Sequence, residues 1–226
     1  MSPAVKALTL SAEQLRALRH AVHAAICDGL AKPGQQIAAL PTYVRKPDRV
    51  ISGEAVVLDV GGTNMRAGCI ALGADGPHLL AGADGKTLRD SDIMQRATKP
   101  GAVSAQDFFD TQADLIAAAS PKSEIALGYC FSYPAAIAPD GSATLLRWTK
   151  EIEIPDVHAV SAPLAAALQR RGKTLRAFCT LNDTVASLVA GAWLAPKFTH
   201  HIGLIVGTGN NMAGFFRVKD ISKLDA

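Results

Sequence analysis

The segment at residues 58–66 contains the side chains best suited to chemistry, an acidic residue followed by a glycine turn. The segment reads LDVGGTNMR. Its two glycines let a ligand approach the backbone closely, because no Cβ stands in the way. Asp59 offers hard carboxylate oxygens suited to Mg²⁺ or its bound water, and Arg66 offers a cationic fork. Thr63 and Asn64 add hydroxyl and amide groups, so the set suits the phosphate tail of a magnesium nucleotide. The alternative is a hairpin whose glycines only make the turn.

A second glycine turn, GTGNN at residues 207–211, follows an apolar run at 202–206 and precedes another at 212–216. It fails the dinucleotide-binding fingerprint, because Met212 stands where that pattern needs a third glycine. The chain also has no G-x-x-x-x-G-K-[S/T] sequence, which excludes a P-loop kinase. The strand-turn-strand order repeats that of the first turn, which suggests an internal duplication whose second copy is cut short.

Asn182 and Asp183 stand between a predicted strand and a predicted helix. A carboxylate at such a junction can act as a general base that takes a proton from a hydroxyl group. Either side chain can instead cap the helix that begins near Thr184. The residue pattern alone favours neither the catalytic role nor the capping role, and one side chain can have both.

Hydrophobic periodicity predicts the elements that position these residues. Ser11 and Gln14 have the spacing of a capping box for a first helix, which we expect to end at Gly29. Strands are predicted at 55–60, 65–72, 78–83, 125–131, 175–181 and 202–206, and helices at 104–120, 159–171 and 184–194. Alternating strands and helices predict an α/β fold, in which helices flank a sheet.

Composition excludes several classes of protein. Hydrophobic residues make up 49% of the 226 residues and charged residues 19%, which is typical of a globular protein. A net charge of +3 without a dense basic stripe argues against nucleic-acid binding. No apolar run could span a bilayer and no secretory signal is present, so we expect a cytoplasmic protein without a membrane partner. Four cysteines without CxxC spacing, Cys27, Cys69, Cys130 and Cys179, are expected to be buried free thiols.

Five segments carry a family resemblance, namely residues 58–66, 128–134, 147–150, 182–185 and 205–211. In order and spacing they resemble the eukaryotic-type hexokinase and glucokinase family, within the superfamily of sugar kinases, actin and actin-like ATPases. The resemblance covers nearly the whole chain but only about the first half of a usual member. It implies an actin-like ATPase (ribonuclease H-like) α/β fold with two lobes around a cleft, the second lobe incomplete in this chain.

The resemblance implies transfer of the γ-phosphoryl group of Mg-ATP to a hexose, usually to the 6-hydroxyl of glucose. Asp183 would be the general base, Lys150 a catalytic positive charge, and Asp59 would hold Mg²⁺ through water. Lys150 has a plainer alternative, a surface lysine beside Trp148. The implied hexose-binding residues are Ser132, Thr149, Lys150, Asn182, Asp183 and Asn211. The implied ATP-binding residues are Asp59, Gly61, Gly62, Thr63, Asn64, Arg66, Gly207, Thr208 and Gly209.

Family members place two sugar-binding glutamates and an adenosine-binding segment after the second glycine turn, whereas this chain stops at Ala226. We expect residues 1–52 to pack with the large lobe, residues 53–181 to form the small lobe, and residues 182–226 to begin the large lobe. Two alternatives to a complete hexokinase stay open. One is a non-catalytic sugar-binding or regulatory protein. The other is part of a split or truncated kinase that self-associates or binds a complementing C-terminal half.

Overall fold

The computed structural model of the chain describes residues 9–48, 51–82, 84–207 and 210–224. The chain divides into two compact units. One unit joins Met1–Leu40 with Phe216–Ala226, and the other is Pro41–Phe215. The division into lobes at residues 53 and 182 stays a prediction.

The first unit contains helix α1, Ala12–Ala31, and two short 3₁₀ turns, Val218–Asp220 and Ser222–Leu224. The predicted capping box is confirmed: Ser11 Oγ accepts from Gln14 N–H at 3.1 Å and Gln14 Oε1 accepts from Ser11 N–H at 2.8 Å. The expectation that Gly29 ends the helix is wrong, because the helix continues to Ala31.

Gly29 serves a close approach between backbone segments. A Cβ at this position would lie 2.0 Å from the carbonyl oxygen of Ile37, so only glycine fits. The Lys223 ammonium group donates to the carbonyl oxygens of Gly29, Ala38 and Ala39, each at 2.7 Å. Partial burial lowers the pKa of Lys223. These bonds hold the start of the unit to its end.

The second unit is built on a mixed sheet. Its strands are β1 Gly53–Val60, β2 Met65–Gly73, β3 Gly76–Leu80, β4 Leu88–Ser91, β5 Glu124–Phe131 and, later in the chain, β8 Thr174–Leu181. The order is β3-β2-β1-β5-β8, with β4 also paired to β2. The β1–β5 and β5–β8 pairs are parallel, whereas the pairs of β2 are antiparallel. The α/β alternation predicted from the sequence is therefore present.

One face of the sheet forms the hydrophobic core with α3, Ala105–Ala119, and α4, Ser161–Gln169. Alternate residues of β1 and β5 point into this core, and α3 adds Phe108 and Phe109 from its apolar face. Ser104 and Asp107 form a capping box that begins α3. The core fixes the strands whose carboxyl ends carry the predicted site.

The remaining helices and strands complete the described part of this unit. They are helix α2, Ile93–Arg96, the hairpin β6–β7, Ala135–Ile137 and Ala143–Leu145, helix α5, Asp183–Leu194, and the two-stranded sheet β9–β10, Ile202–Val206 and Asn210–Gly214. Periodicity did not predict β4, α2 or the β6–β7 hairpin. The predicted strand 78–83 lies instead at Gly76–Leu80, and the predicted helix 159–171 is shorter at both ends. The strand-turn-strand order around the second glycine turn is confirmed by the antiparallel pairing of β9 with β10.

Candidate active site

The strand register brings the predicted acidic residues to one edge of the sheet. Asp59 of β1 lies opposite Cys130 of β5, which lies opposite Leu181 of β8. Asn182 and Asp183 follow directly. Since the carboxyl ends of parallel strands are where open α/β sheets bind ligands, this edge is the candidate active site. On the other side of β1, Asp59 lies opposite Arg66 of β2.

The first glycine turn connects β1 to β2 and is closed by a backbone hydrogen bond. Gly61 N–H donates to the carbonyl oxygen of Asn64 at 3.1 Å, and the Asn64 side chain accepts from Gln95 Nε2 at 3.3 Å. Thr63 is exposed at the tip. Tyr133, buried beside the turn, donates from its hydroxyl to the carbonyl oxygen of Gly61 at 3.0 Å.

Lys150 reaches the same turn from the loop that follows β7. Its stem lies against Gly62, where a Cβ would come within 2.6 Å of Lys150 Cδ. Its ammonium nitrogen lies 5.4 Å from the centroid of the Tyr133 ring. Lys150 and Glu151 both have φ of 60°, in the left-handed region that non-glycine residues rarely adopt. Backbone strain of this kind is common at active sites and ligand-binding segments, where the surrounding structure holds the residue in place.

Asn182 and Asp183 both cap α5, as one interpretation of the sequence predicted. Asn182 Oδ1 accepts from Thr184 N–H at 3.0 Å, and Asp183 Oδ1 accepts from the same N–H at 2.8 Å. Asp183 Oδ1 also accepts from the Thr184 hydroxyl at 3.2 Å. Asp183 Oδ2 accepts no hydrogen bond from the described residues. The cap therefore fixes the carboxylate and leaves one oxygen available.

Two implied hexose-binding residues are in contact. Asn211, on β10, donates from its side-chain amide to Asn182 Oδ1 at 2.8 Å. Asn182 also donates to the carbonyl oxygen of Phe131, at the end of β5, at 3.3 Å. Ser132 follows that strand and is half-buried, with its N–H bonded to Val60. Thr149, also half-buried, precedes Lys150 and accepts from Ile152 N–H through its carbonyl oxygen.

The second glycine turn is only partly described. Gly207 directly follows β9 and is exposed, whereas Thr208 and Gly209 lie outside the described residues. No backbone hydrogen bond links Gly207 to the first turn within the described ranges. Its assignment to the phosphates stays a prediction.

Cys130 lies beside the candidate site, although its sequence pattern predicts only a buried thiol. Burial raises the pKa of its thiol most strongly, and the negative charge of Asp59 with their hydrogen bond raises it further. Asp183 also raises this pKa, whereas Lys150 lowers it. The charges of Asp59, Asp183 and Lys150 therefore all act on the pKa of this thiol. Strand alternation and the β1–β5 pairing were the signals that could have placed it beside Asp59.

The other cysteines differ in exposure. The expectation that all four are buried is wrong for Cys27, which is exposed on α1 together with most of the residues of that helix. Cys69 is buried, Cys130 and Cys179 are half-buried, and all four thiols are free. Cys130 and Cys179 line a largely apolar cavity of about 390 Å³ together with Asp59 and Arg66, on the sheet face opposite α3.

Within the described ranges, no group of three His, Cys, Asp or Glu side chains is arranged to hold a metal ion. None of the helices that the structure describes is long and apolar enough to cross a membrane.

Comparison with known proteins identifies the family of the chain. The sequence profile of the hexokinase family matches residues 1–193. The chain belongs to the hexokinase family. Hexokinase-1 of Saccharomyces cerevisiae is 33% identical over 207 residues, which cover 87% of this chain and 41% of that protein. Human hexokinase-3 is 28% identical, over 94% of this chain and 23% of that protein.

Solved hexokinases have the same fold. A hexokinase from Schistosoma mansoni, solved in complex with glucose, superposes with a TM-score of 0.72 and 26% identity, over 89% of this chain and 46% of that one. A second hexokinase crystal structure gives a TM-score of 0.65 over 91% of this chain and 50% of that chain. The predicted actin-like ATPase fold and the family resemblance are thus confirmed. This hexokinase-family chain spans less than half the length of the yeast relatives it matches.

Proposed function

We propose that this chain carries the catalytic residues of an ATP-dependent hexokinase of the glucokinase type, acting in the cytoplasm. The reaction is transfer of the γ-phosphoryl group of Mg-ATP to the 6-hydroxyl of glucose or a similar hexose. The observation that carries the proposal is the strand register, which brings Asp59 and, directly after Leu181, Asn182 and Asp183 to one edge of the sheet. The likeness to a hexokinase solved with glucose supports the choice of substrate.

Asp183 is the general base of this proposal. Its Oδ1 is held by Thr184 at the start of α5, which leaves Oδ2 to accept the proton of the attacking hydroxyl. That proton becomes more acidic as the bond from oxygen to phosphorus forms, so a correctly positioned carboxylate can accept it. Capping and catalysis are then two uses of the same carboxylate.

Lys150 and the first glycine turn neutralise the phosphates. Phosphoryl transfer requires positioning and charge stabilisation more than covalent help from the protein. Lys150 lies against Gly62, so its ammonium and the turn's backbone face the same ligand. Arg66, the exposed Thr63 and the half-buried Asn64 are the further phosphate contacts. Gly207, Thr208 and Gly209 are proposed to contact the phosphates as well.

Asp59 fits a magnesium ion held through water. Its carboxylate oxygens are hard ligands, and the ion in kinase sites takes one or two carboxylates, several waters and substrate phosphates. The bound ion would neutralise charge on the phosphate oxygens. Cys130 lies opposite Asp59 in the β1–β5 pairing, so its thiol is a neighbour of the carboxylate that would hold the ion.

We assign the hexose side of the site to the polar side chains of Asn182, Asn211, Ser132 and Thr149. Asn182 and Asn211 are bonded to each other, so each fixes the geometry of the other. Ser132 directly follows β5, and Thr149 directly precedes Lys150. Convergent hydrogen-bonding groups of fixed geometry are what recognition of several sugar hydroxyls requires.

A second candidate is one part of a split or truncated kinase. The face of β9 that points away from α5 is apolar and exposed: Ile202 is 71%, Leu204 61% and Val206 74% exposed. Gly203, on the opposite face, packs against Thr184 and Leu188 of α5. An exposed apolar strand face of this kind favours a complementing polypeptide or self-association.

Hexose-dependent ADP formation by the 226-residue chain tests the proposal. We expect glucose to stimulate ADP release and 6-deoxyglucose, which lacks the accepting hydroxyl, to have no effect. Equal stimulation by both sugars would contradict transfer to the 6-hydroxyl. Activity that appears only when the C-terminal portion of a hexokinase is added would support the split-kinase candidate. Glucose binding without turnover in either case would support a sugar-binding protein.

A further inference from the structure

The hydroxyl of Tyr133 is a buried polar group that the reaction described above does not use. Tyr133 is 1% exposed and donates to the carbonyl oxygen of Gly61 at 3.0 Å. Burial raises the pKa of this hydroxyl, so it stays protonated and remains a donor. Its single acceptor is the backbone of the phosphate turn itself.

Peptide geometry gives this hydrogen bond a consequence on the far side of the turn. The Gly61–Gly62 peptide is trans, and in a planar trans peptide the C=O and N–H point in opposite directions. Holding the Gly61 carbonyl against Tyr133 therefore turns Gly62 N–H away from the core. Gly61 N–H already donates to Asn64, whereas Gly62 N–H has no acceptor in the described part of the chain. It is free to bind an anion.

The ring of Tyr133 contacts Lys150, the other group proposed to bind phosphate. Lys150 places its ammonium nitrogen 5.4 Å from the ring centroid, while its stem rests on Gly62. Trp148 packs edge-on against the same ring, with centroids 4.8 Å apart. Trp148 is itself fixed, because its Nε1–H donates to the carbonyl oxygen of Ile154 at 3.0 Å. The ring is thus a rigid support with the turn at its hydroxyl and the lysine over its face.

We propose that Tyr133 is a positioning residue that fixes the Gly62 amide and the Lys150 ammonium relative to each other for binding a polyphosphate chain. The proposal rests on the proposed function, because it gives these two groups the same phosphate ligand. Its hydroxyl acts on the backbone donor and its ring on the ammonium. The residue has no hydrogen bond or ring contact with Asn182, Asp183 or Asn211 in the described structure, so we expect it to affect phosphate binding more than hexose binding.

Calorimetric titration of the whole chain with two ligands tests this proposal. Mg-ATP probes the nucleotide site, and magnesium tripolyphosphate probes the phosphate contacts without an adenosine group. Tyr133→Phe removes only the hydroxyl. We expect this change to lower the affinity for Mg-ATP and for magnesium tripolyphosphate by the same factor, about three- to tenfold. Glucose affinity should fall by a smaller factor than either phosphate affinity. Tyr133→Leu also removes the ring, and we expect a further loss of about two- to fivefold for both phosphates.

Tyr129→Phe is the matched control, since Tyr129 is equally buried on β5 but its hydroxyl has no hydrogen-bond partner in the described structure. It should bind both phosphates as the unmodified chain does. Unchanged phosphate affinity in Tyr133→Phe, or an equal loss of glucose affinity, would overturn the proposal. If the unmodified chain binds neither Mg-ATP nor magnesium tripolyphosphate at millimolar concentration, the phosphate site fails and this proposal fails with it. Circular dichroism of each variant distinguishes these outcomes from misfolding.

Discussion

At the scale of single residues, the site depends on side chains that each have two partners. Asp183 is bonded to the start of α5 and keeps one carboxylate oxygen available. Tyr133 contacts both the turn and Lys150. Cys130 lies within the field of Asp59, Asp183 and Lys150. A substitution at any of these positions therefore changes local structure and ligand contacts together, and variants must be chosen to separate the two.

The raised pKa of Cys130 predicts a loss of stability at alkaline pH. In the unfolded chain a thiol ionises near its ordinary pKa of 9.0, whereas in the folded chain it stays protonated to higher pH. The folded state then binds more protons, so the free energy of unfolding falls above about pH 9, by about 1.4 kcal/mol per pH unit for this thiol. Urea unfolding at pH 8 to 10.5 measures it. Cys130→Ala should have a shallower decline than the unmodified chain, and identical slopes would contradict the shift.

Differences in exposure predict which thiol reacts first. Cys27 is exposed, whereas Cys69 is buried and the remaining two thiols are half-buried with raised pKa values. In the native chain at pH 7.5, a thiol reagent should label one cysteine rapidly and the others at least about tenfold more slowly. Cys27→Ser should remove the rapid phase. A rapid phase that persists in that variant would contradict the assignment.

At the scale of elements, two helix glycines predict opposite effects of the same substitution. A Cβ at Gly29 of α1 would collide with the Ile37 carbonyl, whereas a Cβ at Gly191 of α5 would meet nothing within 4 Å. Gly191→Ala should raise the free energy of unfolding by up to about 1 kcal/mol, because alanine favours helix. Gly29→Ala should lower protection of the α1 amides by about 1–3 kcal/mol. Urea unfolding and amide hydrogen exchange measure the two effects, and a stabilising Gly29→Ala would contradict the packing.

Periodicity predicted the long elements because their apolar positions repeat over many residues. Strands β1, β5 and β8 and helices α1, α3 and α5 lie within a few residues of their predicted bounds. It missed β4, α2 and the β6–β7 hairpin, since three or four residues are too few to establish a period. Gly29 was read as a helix end because glycine commonly ends helices. Its actual role depends on the Ile37 backbone, which no local pattern reveals.

The candidate site was predictable where it follows motifs and not where it follows pairing. Residue type and spacing indicate Asp59, Asn182 and Asp183, whereas Lys150 and Asn211 are implied only by the family resemblance. Cys130 and Tyr133 were not, because their roles come from β1–β5 register and from a hydrogen bond between residues 72 positions apart in sequence. Strand alternation alone predicts which face Cys130 occupies, whereas the partner of the Tyr133 hydroxyl is decided by tertiary packing.

At the scale of the whole molecule, the exposed apolar face of β9 predicts association. Leu204 lies at the centre of that face and is 61% exposed. Leu204→Lys should lower self-association, or binding of an added hexokinase C-terminal portion, by at least about tenfold while leaving the fold intact. Analytical ultracentrifugation measures either effect. Leu79→Lys, on β3 and from a leucine 48% exposed, is the matched control and should associate as before. Equal behaviour of the two variants would contradict a docking role for β9.

The central claim, that Asp183 is the base of a hexokinase reaction, is tested most directly by Asp183→Asn. Asparagine can still cap α5 but cannot take a proton, so turnover should fall about 10²- to 10⁴-fold while glucose affinity changes less than about tenfold. Asp107→Asn is the control, because Asp107 caps α3 outside the site and its loss should cost stability and leave turnover unchanged. The measurement is kcat for glucose phosphorylation by the chain, with the C-terminal portion added if turnover needs it. Undiminished kcat in Asp183→Asn would contradict the account.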